Sequence, residues 1–291
     1  TRWLLGAASD KAYSEIPVNV AELPVRREFR EGGYYVLGSE FETPRELRVV
    51  VDAGPLGYLS IAAHGHADAL AFTLSVGGRE ILIDPGTYAY HTQKKWRDYF
   101  RGTAAHNTVT VDGENQSEIG GNFLWLRKAN AVCELWETGS KSDRFVGSHD
   151  GYRRLDDPVV HRREILLEKA GRRIVVTDTL DCAGQHRAEC RWHFSEACEV
   201  WLEGKVLYAR NSGNVVSLRL ADPALKFEIH NGEEHPPCGW VSRSFDVKIP
   251  TVTAVVPFAV QGQTTLVTEI VCGHGLGKPS SPSRVVGERV G

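Results

Sequence analysis

Short runs of alternating apolar and polar residues recur along this chain at intervals of about 8–12 residues, the spacing of all-β domains. They include "YYVLGS" from Tyr34, "LRVVVDAG", "ALAFTLSV", "REILIDPG", "HRREILLEK", "RRIVVTDTL", "AECRWHFS", "NVVSLRL" and "TVTAVVPFAV" from Thr251. Alternation with a period of two gives each run one core face and one wet face, as in half-buried antiparallel strands. Between "FTL" and "ILI" the pair Gly77-Gly78 supplies a tight hairpin turn. A dozen or more twisted strands do not stay in one open layer, so they divide into two packed sheets. The chain has 291 residues, of which 42% are hydrophobic, enough for such a core. The expected fold is all-β: a large two-sheet antiparallel β-sandwich.

Helical periodicity is confined to "TRWLLGAASDKAYSEI", with room for a short helix or two. The stretch that follows holds Pro17, Pro24 and Gly32-Gly33 and reads as a linker. Residues 1–32 are therefore assigned to a linker and the remnant of a preceding domain, 33–272 to the sandwich, and 273–291 to a mobile tail rich in Gly, Pro and Ser. The chain opens on Thr1 and contains no methionine, so it reads as a piece of a longer protein. A net charge of −3 argues against bulk electrostatic binding of nucleic acid. No apolar run reaches the ~18 residues of a membrane span. None of the six cysteines forms a CxxC pair, which argues against a ribbon-type structural zinc site; buried free thiols are expected, with room for one disulfide if the protein is exported.

Chemistry concentrates in "SIAAHGHADALAFTLSVGGREILIDPGTYAYH", Ser60 to His91. His64 and His66 flank one glycine and, in extended backbone, point to one face. Asp84 ends the strand after the Gly-Gly hairpin, and His106 opens the next strand in "TAAHNTVTVDG". Two histidines and a carboxylate on neighbouring strands suit zinc or another borderline divalent cation. The segment "DPGTYAYHTQKKWRDYFRGTAAHNT" adds Tyr88, Tyr90, Tyr99, His91, Arg97 and Arg101. Such a set resembles a site for an acidic sugar, because arginine binds a carboxylate bidentately and tyrosine or histidine moves protons. The basic run Lys94, Lys95, Arg97 and Arg101 also reads as a solvated loop face. His161, His193 and His230 sit in strand-like runs and are assigned structural or surface roles. Among the remaining candidates, "SHDGYRRL" at His149 reads as a salt-bridged turn or a loop beside the cleft. Asn107 should face away from His106 and bond backbone, Asn115 and Gln116 should close a turn, and Trp125, Trp136, Trp192 and Trp240 should pack in the core.

The pattern "HGHADALAFTLSVGGREILIDPGTYAYH" followed by "YFRGTAAHNTVTVDGENQSE" resembles the signature of the heparinase II/III-like polysaccharide lyases, including their oligoalginate-lyase branch. The resemblance is densest over residues 55–118, and "RWLLG" resembles the end of that family's helical domain. It implies an α/α toroid preceding the sandwich as an intramolecular partner, and a zinc ion on His66, Asp84 and His106, with a fourth ligand left open. His64 would lie at the catalytic cleft. The implied reaction is β-elimination at a uronic acid within an acidic polysaccharide. It requires a base, for which His64, Tyr90 and Tyr99 are candidates, and donors to the substrate carboxylate, here Arg97, Arg101 and Tyr88. The modest basic content disfavours a highly sulfated substrate. Because the toroid is absent from the sequence, the chain is expected to bind zinc yet show little lyase activity alone. The resemblance further implies export by a bacterium, to the periplasm or beyond.

Two other classes compete. A cupin-like metal oxygenase also uses HxH with a later acid and histidine, but no glutamate follows His66 at three or four residues and the strands are too many. A non-catalytic carbohydrate-binding or structural module would keep the metal and lose nothing when His64 is replaced.

Overall fold

A computed structural model describes residues 6, 15, 25, 27–58 and 60–274. The expected N-terminal helix and the tail from residue 275 onward lie outside the described residues. The architecture is the expected one of packed antiparallel sheets. A five-stranded meander runs in sequence order through Glu28–Phe29, Tyr34–Ser39, Leu47–Asp52, Phe72–Val76 and Arg79–Leu82. A ten-stranded sheet faces it, built around two long partners, Arg173–His193 and Val252–His274. The first of these absorbs stretches that the sequence presents as separate runs. "RRIVVTDTL" and "AECRWHFS" are one strand with a register break between Asp181 and Gln185. The first strand begins at Glu28, ahead of the boundary expected at residue 33.

The core lies between the two sheets. Leu47, Val49, Val51, Phe72, Leu74 and Val76 project from the meander, and Ile165, Leu167, Ile174, Val176, Leu218 and Ile270 meet them from the large sheet. Burial alternates residue by residue along Leu47–Asp52 and Val160–Glu168, as the sequence period requires. Gly77 and Gly78 both take positive φ, +56° and +70°, the backbone that a two-residue hairpin needs. All six cysteines are free.

Gly33 closes the turn between the first two strands at φ +72°, and a Cβ there would stand 2.0 Å from the Cα of Gly54. The left-handed backbone alone costs a side chain about 1–2 kcal/mol, and the backbone collision adds to it. Gly33→Ala is therefore expected to lower the urea midpoint by more than the φ penalty alone. A variant with unchanged midpoint would show that this turn relaxes freely.

One element departs from expectation. "KKWRDYFR" is an α-helix, Lys94–Arg101, rather than a solvated loop. Trp96, Tyr99 and Phe100 fall at i, i+3 and i+4, so one face is aromatic and buried. Lys94 and Asp98 pair on the outer face, and Gly102 in extended backbone ends the helix.

Candidate metal centre and groove

The hairpin Phe72–Val76 and Arg79–Leu82 delivers Asp84 just beyond its second strand, and the turn at Thr103–Ala105 delivers His106 just before Val109–Val111. Ligand atoms of His66, Asp68, Asp84 and His106 all lie within 4.8 Å of one another. His106 Nδ1 is 2.9 Å from Asp84 Oδ2, Asp84 Oδ1 accepts from Gly86 N at 2.8 Å, and His66 Nε2 is 3.4 Å from Thr87 Oγ1. The three residues read from the sequence thus converge. Asp68 is the fourth member, which sequence reasoning missed. Its signal was present: "HGHAD" continues the two-residue step from His64 and His66 to Asp68.

The donor set fits a divalent cation. His106 is buried, and its Nε2 has no hydrogen-bond partner among the described residues. Burial and the neighbouring Asp52 and Asp84 push the Asp68 carboxyl up to about 8, against the pull of His106. Burial likewise raises Asp52 to about 6. Asp84 is 47% exposed to the groove, yet the groove walls crowd it. That crowding opposes ionisation, but His106, by charge and hydrogen bond, holds the carboxyl below its usual range. Burial and the charge of His106 hold the His66 imidazole neutral, down to about 3. A neutral imidazole is the ligating form, and crowded carboxylates are what a dication relieves.

The tetrad is held by a second layer of buried polar groups. Asn107 bonds backbone, as expected. Its Nδ2 donates to Phe72 O and Ile83 O, and its Oδ1 accepts from His193 N. Gln116 does more than close a turn: its Nε2 donates to Ala69 O at 3.0 Å, directly after Asp68. Arg163, fully buried, donates to Leu70 O and Asn107 O and forms a bidentate pair with Asp178. Asp178 in turn accepts from His161 at 2.7 Å, and His161 Nδ1 lies 3.0 Å from His149 Nε2. His149 and His161 are therefore core groups and not parts of a cleft loop. His193, also expected to be structural, is fully buried and bonds Thr253.

An open groove of about 630 Å³ runs past the tetrad and is lined by His64, His66, Asp68, Asp84, Tyr58 and Gln116, among others. His64 is exposed and meets Tyr90 edge-on, with ring centroids 5.2 Å apart; Phe123 flanks both rings. Arg97 stacks under Tyr90 at 5.1 Å.

The other expected site residues are placed differently. Tyr99 is buried among Trp96 and Phe100, and burial raises its phenol far above the ordinary value. Tyr88 is buried, stacks on Phe100 and accepts from Gln93 Nε2 through its hydroxyl. Arg97 and Arg101 are 1% and 0% exposed, and both donate to Asn122 O. Arg97 also reaches Ala63 O, and Arg101 stacks on Trp125, whose Nε1 donates to Gly65 O. These arginines grip the His64 loop from beneath. In this chain they are not presented to a polysaccharide, because the aromatic face of the helix carries them inward.

The class that fold and site define is a groove-bearing antiparallel β-sandwich domain whose His₂Asp₂ cluster could hold a divalent cation. The chain belongs to the family described as "Heparinase II/III-like, C-terminal", whose model matches residues 22–269. It is 24% identical over 169 residues to a heparin-sulfate lyase of Bacteroides stercoris, covering 57% of this chain and 22% of that protein. It is 28% identical over 138 residues to a heparin-sulfate lyase of Pedobacter heparinus, covering 46% of this chain and 18% of that protein. The chain thus spans about a fifth of the length of these curated relatives. In fold it is similar to the crystal structure of heparan sulfate lyase HepC from Pedobacter heparinus, with a TM-score of 0.69 and 20% identity over 86% of this chain and 36% of that one. A crystal structure of heparinase III gives 0.68, with 20% identity over 85% of this chain and 36% of that one. Among the described residues no helix is long and apolar enough to cross a membrane.

Proposed function

We propose that this domain is the metal-bearing half of a polysaccharide lyase that cleaves uronic-acid-containing chains by β-elimination. The observation that carries the reading is the convergence of His66, Asp68, Asp84 and His106 beside an open groove that presents His64, whose ring meets Tyr90. Zinc is the cation best matched to two imidazoles and two carboxylates. When bound, it would supply positive charge to the groove and fix the loops that carry His64.

In the reaction, a base removes the proton at C5 of the uronate. The electron pair forms the C4–C5 double bond, the C4–O4 bond breaks, and the departing oxygen takes a proton. His64 and Tyr90 are adjacent and of the right types to share these transfers, and removal of one of them is worth about 10²–10⁴-fold in rate. The carbanion needs its carboxylate neutralised. The groove lining as described contains no lysine or arginine. The neutralising groups are therefore assigned to an N-terminal α/α toroid of the same protein, and a cation held by His66, Asp68, Asp84 and His106 would add positive charge beside them. Export to the periplasm or beyond the cell is part of the same proposal.

The test uses the full-length protein that carries this domain, incubated with a panel of uronate polysaccharides and read by the ultraviolet absorbance of the 4,5-unsaturated product. One tightly held zinc per chain is expected in this groove. His66→Ala and Asp84→Asn are each expected to lose that metal and the product signal together. A full-length enzyme that keeps full activity without metal would sink the metal-bearing reading. Inactivity on every uronate polymer in the panel would sink the lyase reading.

A further inference from the structure

A second cluster of metal-ligating side chains stands apart from the groove and shares no residue with it. We propose that Asp157, Cys182 and His186 form a second metal site, selective for a thiophilic divalent cation. Ligand atoms of the three lie within 4.8 Å of one another. The site is built by an irregularity in the fold. Asp181 pairs with Gln263 and Gln185 pairs with Gln261, so residues 182–184 face Gly262 alone. The bulge keeps Cys182, Gly184 and His186 on one face of the strand, the face that Leu180 and Ala188 bury.

The turn that leads into Val160–Glu168 brings Asp157 over this bulge. Its Oδ2 accepts from Gly184 N at 2.6 Å and lies 2.8 Å from His186 Nε2. The other ring nitrogen of His186 is 2.6 Å from Asp112 Oδ2, and Asp112 Oδ1 is fixed by Arg187 N at 2.9 Å. A histidine held by a carboxylate on one nitrogen while the other faces further ligands is the arrangement that orients imidazoles at metal centres. The His186 side chain is only 6% exposed, whereas Asp157 is 31% exposed and leaves the site an open side. Three protein ligands of S, N and O type with room for water suit zinc or cobalt, and the thiol disfavours calcium and magnesium. A cation here would clamp the Asp157 turn to the bulge between the two longest strands.

The test is titration of the metal-free full chain with cobalt(II) alone, followed by its thiolate-to-cobalt charge-transfer absorption in the near ultraviolet. The band is expected in the unmodified chain and in His66→Ala, and absent in Cys182→Ser. Asp112→Asn should weaken cobalt binding at this band by about 10–100-fold, because it frees the orientation of His186. Absence of the band from the unmodified chain at saturating cobalt would overturn the proposal and leave His186 as an imidazolium between two carboxylates. Persistence of the band in Cys182→Ser would overturn it equally. Neither outcome bears on the groove, whose ligands include no thiol.

Discussion

Replacing His64 by alanine in the full-length enzyme is expected to lower turnover on its uronate substrate by about 10²–10⁴-fold, the range for a lost acid–base group. The metal content should be unchanged. The side chain is exposed at the groove and stands outside the His66, Asp68, Asp84 and His106 cluster, and its ring meets those of Tyr90 and Phe123. Its loop is gripped from beneath through Ala63 O and Gly65 O, so truncating the imidazole leaves the backbone in place. The paired measurement separates the readings. Loss of rate with metal retained supports the proton-transfer role. Full rate with metal retained would make the domain a non-catalytic support. Tyr90→Phe supplies the companion test: a phenol that moves protons loses rate when its hydroxyl goes, whereas a phenol that only packs does not.

The second large effect concerns stability. Asp178→Ala is expected to cost about 3–5 kcal/mol, because it leaves the fully buried Arg163 guanidinium without its counter-charge. The consequence should reach the metal centre. Arg163 carries Leu70 O and Asn107 O, two and one residues from Asp68 and His106. Chemical denaturation with metal-binding measurements on the same variant checks both effects, and a loss under 1 kcal/mol would refute the account.

The same network sets a pH dependence. Gly151 N donates to His149 Nδ1, so His149 carries its proton on Nε2 and donates to His161 Nδ1. His161 must then carry its own proton on Nε2, facing Asp178. Both rings are neutral in the fold. Burial and the neighbouring His161 hold His149 well below its ordinary 6.5; burial, outweighing Asp178, also lowers His161. Below pH 6.5 the unfolded chain binds these protons and the folded chain does not. Stability therefore falls as pH falls through that window, by up to about 1.4 kcal/mol per unit per histidine. Asp178 acts in a separate, more acid window. Burial opposes its ionisation, but the Arg163 charge outweighs this and holds its carboxyl below the ordinary 3.8. Its contribution persists until the pH falls through that lowered value. Melting temperatures recorded from neutral pH downward should decline beneath pH 6.5, and His149→Asn should flatten the decline.

Much of this protein is written in local sequence. Period-two alternation and the Gly77-Gly78 pair dictate strands and a hairpin, because side-chain direction and left-handed backbone are properties of neighbouring residues. The same locality placed His66 and Asp84 on adjoining segments. What pattern reading left open depends on partners remote in the chain. Asp68 joins the cluster of His66, Asp84 and His106 where Ala69 and Leu70 are tied to Gln116 and Arg163. The run "KKWRDYFR" reads as a basic surface, yet its aromatic face finds Trp240 and folds inward, taking two arginines out of the groove and under the His64 loop. Charge at a position is set by the sequence; whether that charge meets solvent, substrate or a buried carbonyl is set by what the rest of the chain packs against it.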